Sequence, residues 1–357
     1  MGKYCNMGRI KIIFLLFFAI IAAIFIASFI TLDNETIVDT VHSNHSKNPN
    51  LALLSNYSID TKSYRYIGNY PDGRRTGWTN NLQGVTNDGN YWYFSQAKTL
   101  WKFPVEHDLN TRIKKSDPAR DILKKDMPPE LKGYNHYGDL DHYNGFIFTA
   151  VDGRKVPPRI VVFRISDLGY VDSWILDDLG HAGWCAIDSN RSLLYTSNRT
   201  ISINDPIYRY KINLDKLVND KEFALEYRDR FPLYDEHGQP LKMDTMQGGD
   251  VSDNGFLYTV NGFCTGSVIN TGVMVFDDQT GVRVAKSTNG FGDFNYEYRP
   301  GSAFWIFNLG CKQEPEGLTL WDLDTEHAPG IRGQLHVIMI DNFGYGVKLY
   351  FKHYTNK

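Results

Sequence analysis

The chain has little excess charge of either sign. Its 38 Lys and Arg residues stand against 41 Asp and Glu residues, which gives a formal net charge of -3, and the isoelectric point is near 6.4. A protein that binds nucleic acid normally presents a basic face. No block of like charge interrupts the sequence. The charge pattern therefore predicts that the protein does not bind nucleic acid.

The chain is also poor in the residues that favour helices. It contains instead 22 Tyr, 21 Phe, 7 Trp and 31 Gly. Aromatic residues favour strands, and glycine favours the turns between them. Since 42% of the 357 residues are hydrophobic, the chain can fill a sizeable core. The composition predicts an all-β protein.

Cysteine is scarce, with four residues in the whole chain. Cys185 lies in a predicted buried strand, whereas Cys5 precedes a long apolar segment near the N-terminus. Cys264 and Cys311 lie in predicted loops of neighbouring repeat units. This placement is compatible with a disulfide bond between them in an oxidising compartment. The sequence leaves open whether they pair.

One long apolar run, residues 12–30, contains no charged residue. At 1.5 Å per residue such a helix crosses most of a ~30 Å hydrocarbon layer. Basic residues precede the run and acidic residues follow it, so the positive-inside rule places the N-terminus in the cytoplasm. We expect residues 1–11 to be a cytoplasmic tail and residues 12–30 a transmembrane signal-anchor, with the rest extracellular, periplasmic or lumenal. The alternative is a secreted protein whose signal peptide is cleaved, although the apolar core of such peptides is usually shorter, about 7–15 residues.

Residues 31–57 are rich in Asn, Ser, His and acidic residues and show no hydrophobic periodicity. Such a segment cannot bury enough apolar surface to order itself, so we expect a disordered stalk followed by a folded domain over residues 58–357. Five Asn-x-Ser/Thr patterns fit N-glycosylation acceptors of a secreted eukaryotic protein. They begin at Asn34, Asn44, Asn56, Asn190 and Asn198. The sequence thus predicts a glycoprotein if the source is eukaryotic.

A short pattern recurs along the folded domain. In "QGVTNDGNYWYF" and "GGDVSDNGFLYTV" a glycine opens a short alternation of polar and apolar residues, which a turn and an aromatic run follow. Five such segments align on the marker glycines Gly84, Gly138, Gly183, Gly249 and Gly317. Each is followed by two further strand-like runs, and in three units by a third. A repeated four-stranded meander is a β-propeller blade. We predict a single propeller of five blades behind the transmembrane helix, and the longest glycine spacings leave room for a sixth.

The first and last units lack an obvious fourth strand. In the first unit, residues 107–131 are predicted to form a loop with a short helix. The last unit ends after three strands, while an unassigned strand-like segment, "KSYRYIGNY" at residues 62–70, precedes the first unit. If this segment is the outer strand of the last blade, the ring closes and its sheet edges are paired. We therefore predict that residues 62–70 pair with residues 347–351.

The segment "PEGLTL", residues 315–320, resembles the Glu-Gly-apolar opening of an innermost strand in the phytase-like, gluconolactonase-like and strictosidine-synthase-like propellers. No Trp-Asp dipeptide recurs at the blade period and no double-glycine kelch pattern recurs, so those families are not indicated. In several of the similar propellers a carboxylate at this place holds a divalent cation on the central axis. The resemblance therefore implies Ca²⁺ or Mg²⁺ bound by Glu316, although a shared fold does not by itself give function.

The residues beside the marker glycines form the candidate site, because the innermost strands of a propeller begin beside its central channel. These positions hold carboxylates, amides and two imidazoles but no Lys or Arg. They are Gln83, Asn135, His136, Tyr137, Asp139, His181, Trp184, Gln247, Asp250, Glu314 and Glu316. Such a set suits a cation or a polyhydroxyl ligand.

Two chemistries fit this set. In one, carboxylates bind the cation and an imidazole is the general base. In the other, paired carboxylates cleave a sugar linkage while aromatic rings stack on the sugar. The predicted catalytic residues are Glu316, His136, His181 and Asp139. The predicted substrate-binding residues are Gln83, Asn135, Tyr137, Trp184 and Gln247. The predicted metal ligands are Glu316, Glu314 and Asp250.

The expected function is that of a hydrolase or lyase acting on a glycan, ester or phosphate outside the cytoplasm. The alternative is a propeller that recognises a glycan or protein without chemistry, and the sequence leaves open which is right. Polar residues at inner strands also often serve only the backbone groups and waters of the channel. A long aromatic segment, residues 298–317, is expected to form a lid or binding ledge over the channel mouth. The oligomeric state is not indicated.

Overall fold

The computed structural model describes residues 64–75, 77–262, 272–287, 313–324, 328–341 and 347–356. The predicted cytoplasmic tail, transmembrane segment and stalk lie outside these residues, as do Cys264, Cys311 and most of the predicted lid. In the described part of the chain no helix has the length and apolar character needed to cross a membrane.

The described residues form twenty strands in five antiparallel sheets of four strands each. Four sheets are meanders of consecutive strands. Blade 1 consists of β2 (Leu82–Asn87), β3 (Tyr91–Gln96), β4 (Thr99–Pro104) and β5 (Leu123–Asp126). Blade 2 consists of β6 (His136–Tyr143), β7 (Phe146–Gly153), β8 (Val156–Arg164) and β9 (Tyr170–Ile175). Blade 3 consists of β10 (Ala186–Asp188), β11 (Leu193–Thr196), β12 (Ile207–Ile212) and β13 (Leu225–Phe231). Blade 4 consists of β14 (Met246–Val251), β15 (Phe256–Asn261), β16 (Gly272–Asp277) and β17 (Arg283–Lys286).

Blade 5 joins the two ends of the domain. Its strands are β18 (Gln313–Leu320), β19 (Leu335–Asp341), β20 (Lys348–Thr355) and, on the outside, β1 (Arg65–Arg74). In the antiparallel pairing of β1 with β20, Arg65 lies opposite Thr355 and Asn69 lies opposite Lys352. The predicted closure and the predicted count of five blades are confirmed.

A buried pair of imidazoles supports this closure. The Nδ1 atoms of His336 and His353 are 2.8 Å apart. His353 Nε2 is 2.9 Å from the carbonyl oxygen of Tyr70 in β1, and His336 Nε2 is 2.9 Å from that of Trp321. Side chains of β19 and β20 therefore hold the closing strand in addition to its ladder.

The prediction for the first unit was wrong in one respect. Residues 107–131 contain the fourth strand of blade 1, β5, between two short 3-10 turns, Pro118–Arg120 and Pro129–Leu131. The strand reads Leu-Lys-Lys-Asp and is only partly covered. An outermost strand is exposed to solvent, so it lacks the apolar alternation by which strands are recognised in a sequence.

The aromatic runs of the second strands fill the space between neighbouring blades. In β3, Trp92 and Phe94 are fully buried and pack against Phe351 of blade 5, with ring centroids 5.4 and 5.8 Å apart. Large aromatic rings bury much apolar surface and favour such edge-on contacts. The hydrophobic core thus lies between the blades. The polar residues at the starts of the inner strands lie at the axis.

The inner strands converge closely at two of the marker glycines, Gly84 and Gly317, and at Gly248, which precedes the marker Gly249. A Cβ atom on Gly84, Gly248 or Gly317 would come within 2.4, 2.5 and 2.5 Å, respectively, of a carboxylate oxygen of Asp139. Asp139 is 0% exposed, and its two oxygens accept the backbone N–H groups of Val85 and Gly249, each at 3.0 Å. A single carboxyl group therefore ties blade 2 to blades 1 and 4 on the axis.

This convergence makes Gly317→Ala strongly destabilising. The new Cβ would lie 2.5 Å from Asp139 Oδ1 and 2.8 Å from the Cα atom of Gly84, and backbone on a packed axis cannot move aside cheaply. We expect a loss of about 3 kcal/mol or more in urea denaturation. Gly180→Ala is the control, because its nearest neighbour would be 3.8 Å away. Equal stability of the two variants would contradict the described axis.

Candidate functional site

A cavity of about 450 Å³ lies where the inner strands begin. All five blades contribute side chains to it. Its polar lining residues are Asn81, Gln83, Asn135, His136, Asp152, Arg154, His181, Arg199, Gln247, Glu314 and Glu316. Seven of these are predicted site residues, namely Gln83, Asn135, His136, His181, Gln247, Glu314 and Glu316. The structure thus brings together residues from distant parts of the chain, and their roles remain predictions.

A recurring irregularity of the inner strands turns three of these side chains out of the ladder. In three blades the pairing of the innermost strand shifts register by one residue: at Gln83 in β2, at Gln247 in β14 and at Glu316 in β18. A shift of this kind is a β-bulge, and bulges redirect a side chain while breaking the local pairing. In all three strands the next residue is one of the close-packed glycines that face Asp139. The polar-glycine dipeptide is therefore the sequence signal for a bulged, axis-facing side chain.

Glu316 and Glu314 form a carboxyl pair at this bulge. Glu316 is 3% exposed, whereas Glu314 is half-buried. Burial raises the pKa of Glu316 well above its ordinary value, and the neighbouring Glu314 raises it further, while a hydrogen bond from Gln83 acts in the opposite direction. The shift favours the protonated form of Glu316, and its hydrogen bond with Glu314 requires a proton on one of the two carboxyl groups.

Two imidazoles lie in the same cavity. Burial lowers the pKa of His136; the Asp152 carboxylate opposes this change and His181 adds to it. His136 is therefore neutral at neutral pH and can accept a proton. His181 Nδ1 contacts Asp152 Oδ2, and Asp152 Oδ1 accepts the backbone N–H of Ala182 at 3.1 Å. The cavity thus combines a carboxyl group whose protonated form is favoured with a neutral imidazole.

Asn198 positions the loop that carries His181. Its Oδ1 accepts the backbone N–H groups of Gly180 at 2.9 Å and of His181 at 3.1 Å. Its Nδ2 donates to Asp205 Oδ1 at 2.8 Å. The amide of this predicted glycosylation acceptor is therefore engaged within the protein, whereas Asn190, the other acceptor among the described residues, is exposed.

Two arginines reach the cavity, although the predicted strand-start positions hold no Lys or Arg. Arg154 belongs to the turn between β7 and β8, and Arg199 follows β11. Both arginines lie in loops and not at strand starts. The marker glycines identify only positions at strand starts, so they do not indicate these arginines. The sequence feature that could have indicated Arg154 is the Asp-Gly-Arg-Lys turn, residues 152–155. This turn follows β7, which ends beside the cavity. Asp152 was missed for the same reason.

Four predicted site residues do not line the cavity. Tyr137 is fully buried and packs against Phe163, with ring centroids 5.9 Å apart. Trp184 is also buried and donates from Nε1 to Ser197 Oγ at 2.9 Å. Neither ring is therefore placed to stack on a ligand in this cavity. Asp139 lies on the axis beneath it, enclosed by the glycines.

The fourth, Asp250, points to a neighbouring strand. Its Oδ2 accepts the backbone N–H of Leu320 at 2.7 Å, and its Oδ1 accepts that of Val251 at 2.6 Å. Burial raises the pKa of Asp250 to about 7. This carboxyl group joins blade 4 to blade 5, and it is separated from the carboxyl pair that it was predicted to join.

The Ca²⁺ or Mg²⁺ site stays a prediction. Of its three predicted ligands, Glu314 and Glu316 line the cavity, whereas Asp250 accepts the backbone N–H of Leu320. Among the residues with described positions, no group of three or more His, Cys, Asp or Glu is arranged to hold a metal ion.

No protein-family model and no curated protein matches the sequence. Among solved structures, glutaminyl cyclase from Myxococcus xanthus is similar, with 12% identity over 82% of this chain and 96% of that chain and a TM-score of 0.46. A gluconolactonase from Xanthomonas campestris has 12% identity over 81% and 97% of the two chains and a TM-score of 0.40. A putative TolB from Agrobacterium tumefaciens has 10% identity over 77% and 83% and a TM-score of 0.37. The sheet topology of the chain itself, five four-stranded blades closed by β1, makes it a β-propeller.

Proposed function

We propose that the cavity is the active site of a hydrolase in which Glu316 is the general acid and His136 the general base. The observation that carries the proposal is the pairing of the buried Glu316 with Glu314 beside a cavity that also contains a neutral imidazole. Enzymes commonly shift acid and base pKa values apart by burial and by neighbouring charges. The cavity therefore has a proton donor and a proton acceptor ready at the same pH.

In the proposed reaction Glu316 donates one proton and His136 accepts another. Glu316 donates its proton to the leaving oxygen of an ester, glycoside or phosphate ester, and His136 removes a proton from the attacking water. Gln83 forms a hydrogen bond with the Glu316 carboxyl group, and Gln247, which blade 4 contributes to the cavity, binds a substrate hydroxyl. The same pair supports elimination by a lyase, in which His136 removes a proton from carbon. The apolar residues 12–30 support a membrane-tethered enzyme outside the cytoplasm.

The proposal predicts a bell-shaped pH dependence of kcat/KM. Activity should fall as the pH rises through the raised pKa of Glu316, because the acid loses its proton. It should also fall as the pH drops through the lowered pKa of His136, below the usual value near 6.5, because the base becomes protonated. The full-length protein is assayed with chromogenic esters, glycosides and phosphate esters between pH 4 and 10.

His136→Asn is the matched variant for this profile. It should reduce kcat/KM and remove the acidic limb, while the alkaline limb stays. An acidic limb that is unchanged in His136→Asn would contradict its role as the base. Activity that a chelator abolishes and Ca²⁺ restores would replace the proposed acid–base reaction by the predicted metal-dependent one.

The second candidate is a binding module without chemistry. Its support is the four amide side chains of the cavity, since amides donate to and accept from sugar hydroxyls equally well. They are Asn81, Gln83, Asn135 and Gln247. A sugar that binds in calorimetry and loses affinity in Gln247→Ala, with no turnover of any substrate in the panel, would favour this function.

A further inference from the structure

The charges of the cavity are arranged on two sides. Blades 2 and 3 contribute Arg154 and Arg199, and blade 5 contributes Glu314 and Glu316. Glu314 and Glu316 share a hydrogen bond that requires a proton, and Asp152, the third carboxyl group of the lining, is engaged by His181 and by the backbone N–H of Ala182. The site therefore does not repel an anion as a fully ionised pair of glutamates would.

Arg154 is available to a ligand. It is exposed on the turn where Gly153 pairs with Val156, and within the described residues it forms no hydrogen bond or ion pair. Its neighbour Asp152, which could have neutralised it, is instead engaged by His181 and by the backbone N–H of Ala182. The guanidinium group thus faces the cavity mouth with its donors uncommitted to the described protein.

The loop that carries Arg199 is fixed by hydrogen bonds. The carbonyl oxygen of Arg199 accepts the backbone N–H of Met246 at 2.8 Å. The adjacent Asn198 is fixed by its bonds to Gly180 and Asp205. Two arginine side chains therefore extend from anchored backbone on neighbouring blades to the same cavity.

We propose that the substrate of this site carries an anionic oxygen group, a carboxylate or a phosphate, which Arg154 and Arg199 bind while the amides bind its hydroxyl groups. The proposal rests on the function proposed above and names its substrate class. A guanidinium group is a planar fork that matches carboxylate and phosphate oxygens in pairs. A cavity of about 450 Å³ has the size of a small-molecule site. The class that fits is an acidic or phosphorylated sugar.

The test is isothermal titration calorimetry of the full-length protein with glucuronate, glucose 6-phosphate and glucose. We expect at least one anionic probe to bind more tightly than glucose, and the two anionic probes separate carboxylate from phosphate recognition. Arg154→Gln and Arg199→Gln should each weaken binding of the preferred anion by about tenfold to a hundredfold, as expected for hydrogen bonds to a charged group. Arg112→Gln removes an exposed arginine that does not line the cavity and should change nothing.

The outcomes separate this inference from the proposed function. If glucose binds as tightly as both anions, if neither anion binds, or if both cavity arginine variants behave like Arg112→Gln, the inference is overturned, while the pH profile still tests the hydrolase. If the cavity variants lose the anion but no substrate in the panel is turned over, the anion site stands and the proposed hydrolase fails.

Discussion

Glu316→Gln is expected to lower kcat/KM by about 100-fold or more, because general acid catalysis commonly contributes 10²–10⁴-fold. The amide has the shape of the carboxyl group but cannot transfer a proton to the leaving oxygen. It can still donate a hydrogen bond to Glu314, so the free energy of unfolding should change by less than about 1 kcal/mol. The measurement is kcat/KM on any substrate found in the panel, together with urea denaturation of both proteins.

Glu226→Gln is the control, since Glu226 is an exposed glutamate on the outer strand β13. It should match the wild-type protein in both activity and stability. A Glu316→Gln protein with full turnover would remove Glu316 from the chemistry. A protein that loses activity and several kcal/mol of stability together would indicate a structural role for the carboxyl group.

Removal of the closing strand is expected to abolish the cooperative fold. A chain that begins at residue 75 lacks all ten residues of β1, leaves the backbone groups of β20 unpaired and deprives His353 of the Tyr70 carbonyl. Each buried polar group left without a partner costs about 1–3 kcal/mol, and a domain has only about 5–15 kcal/mol in total. Several such losses exceed that margin. We expect no cooperative urea transition and an aggregated or expanded protein in size-exclusion chromatography.

A chain that begins at residue 58 is the matched control. It lacks the predicted tail, membrane segment and stalk but keeps β1, so it should unfold cooperatively in urea. If the chain that begins at residue 75 unfolds with the same midpoint as this control, β1 does not close the ring in solution.

Much of the site could be predicted because its residues occur at repeated positions of the sequence. The inner strands need glycines where they converge on the axis. In three blades the residue before such a glycine lies in a β-bulge. Gln83, Gln247 and Glu316 could therefore be recognised from the polar-glycine dipeptide alone. The same register also selected Asp139 and Trp184, because it identifies a position along a strand and not the direction of a side chain.

The sequence by itself determined the repeated four-stranded blade and predicted both five blades and the closing strand, because apolar alternation and turns are local properties that repeat along the chain. Only the tertiary structure decided which polar residues share the cavity. Asp139 and Asp250 are occupied by backbone N–H groups of other blades, whereas Arg154 and Arg199 enter the cavity from loops. Such contacts join residues far apart in the chain, and they depend on the closed ring that sets the distance between one blade and the next.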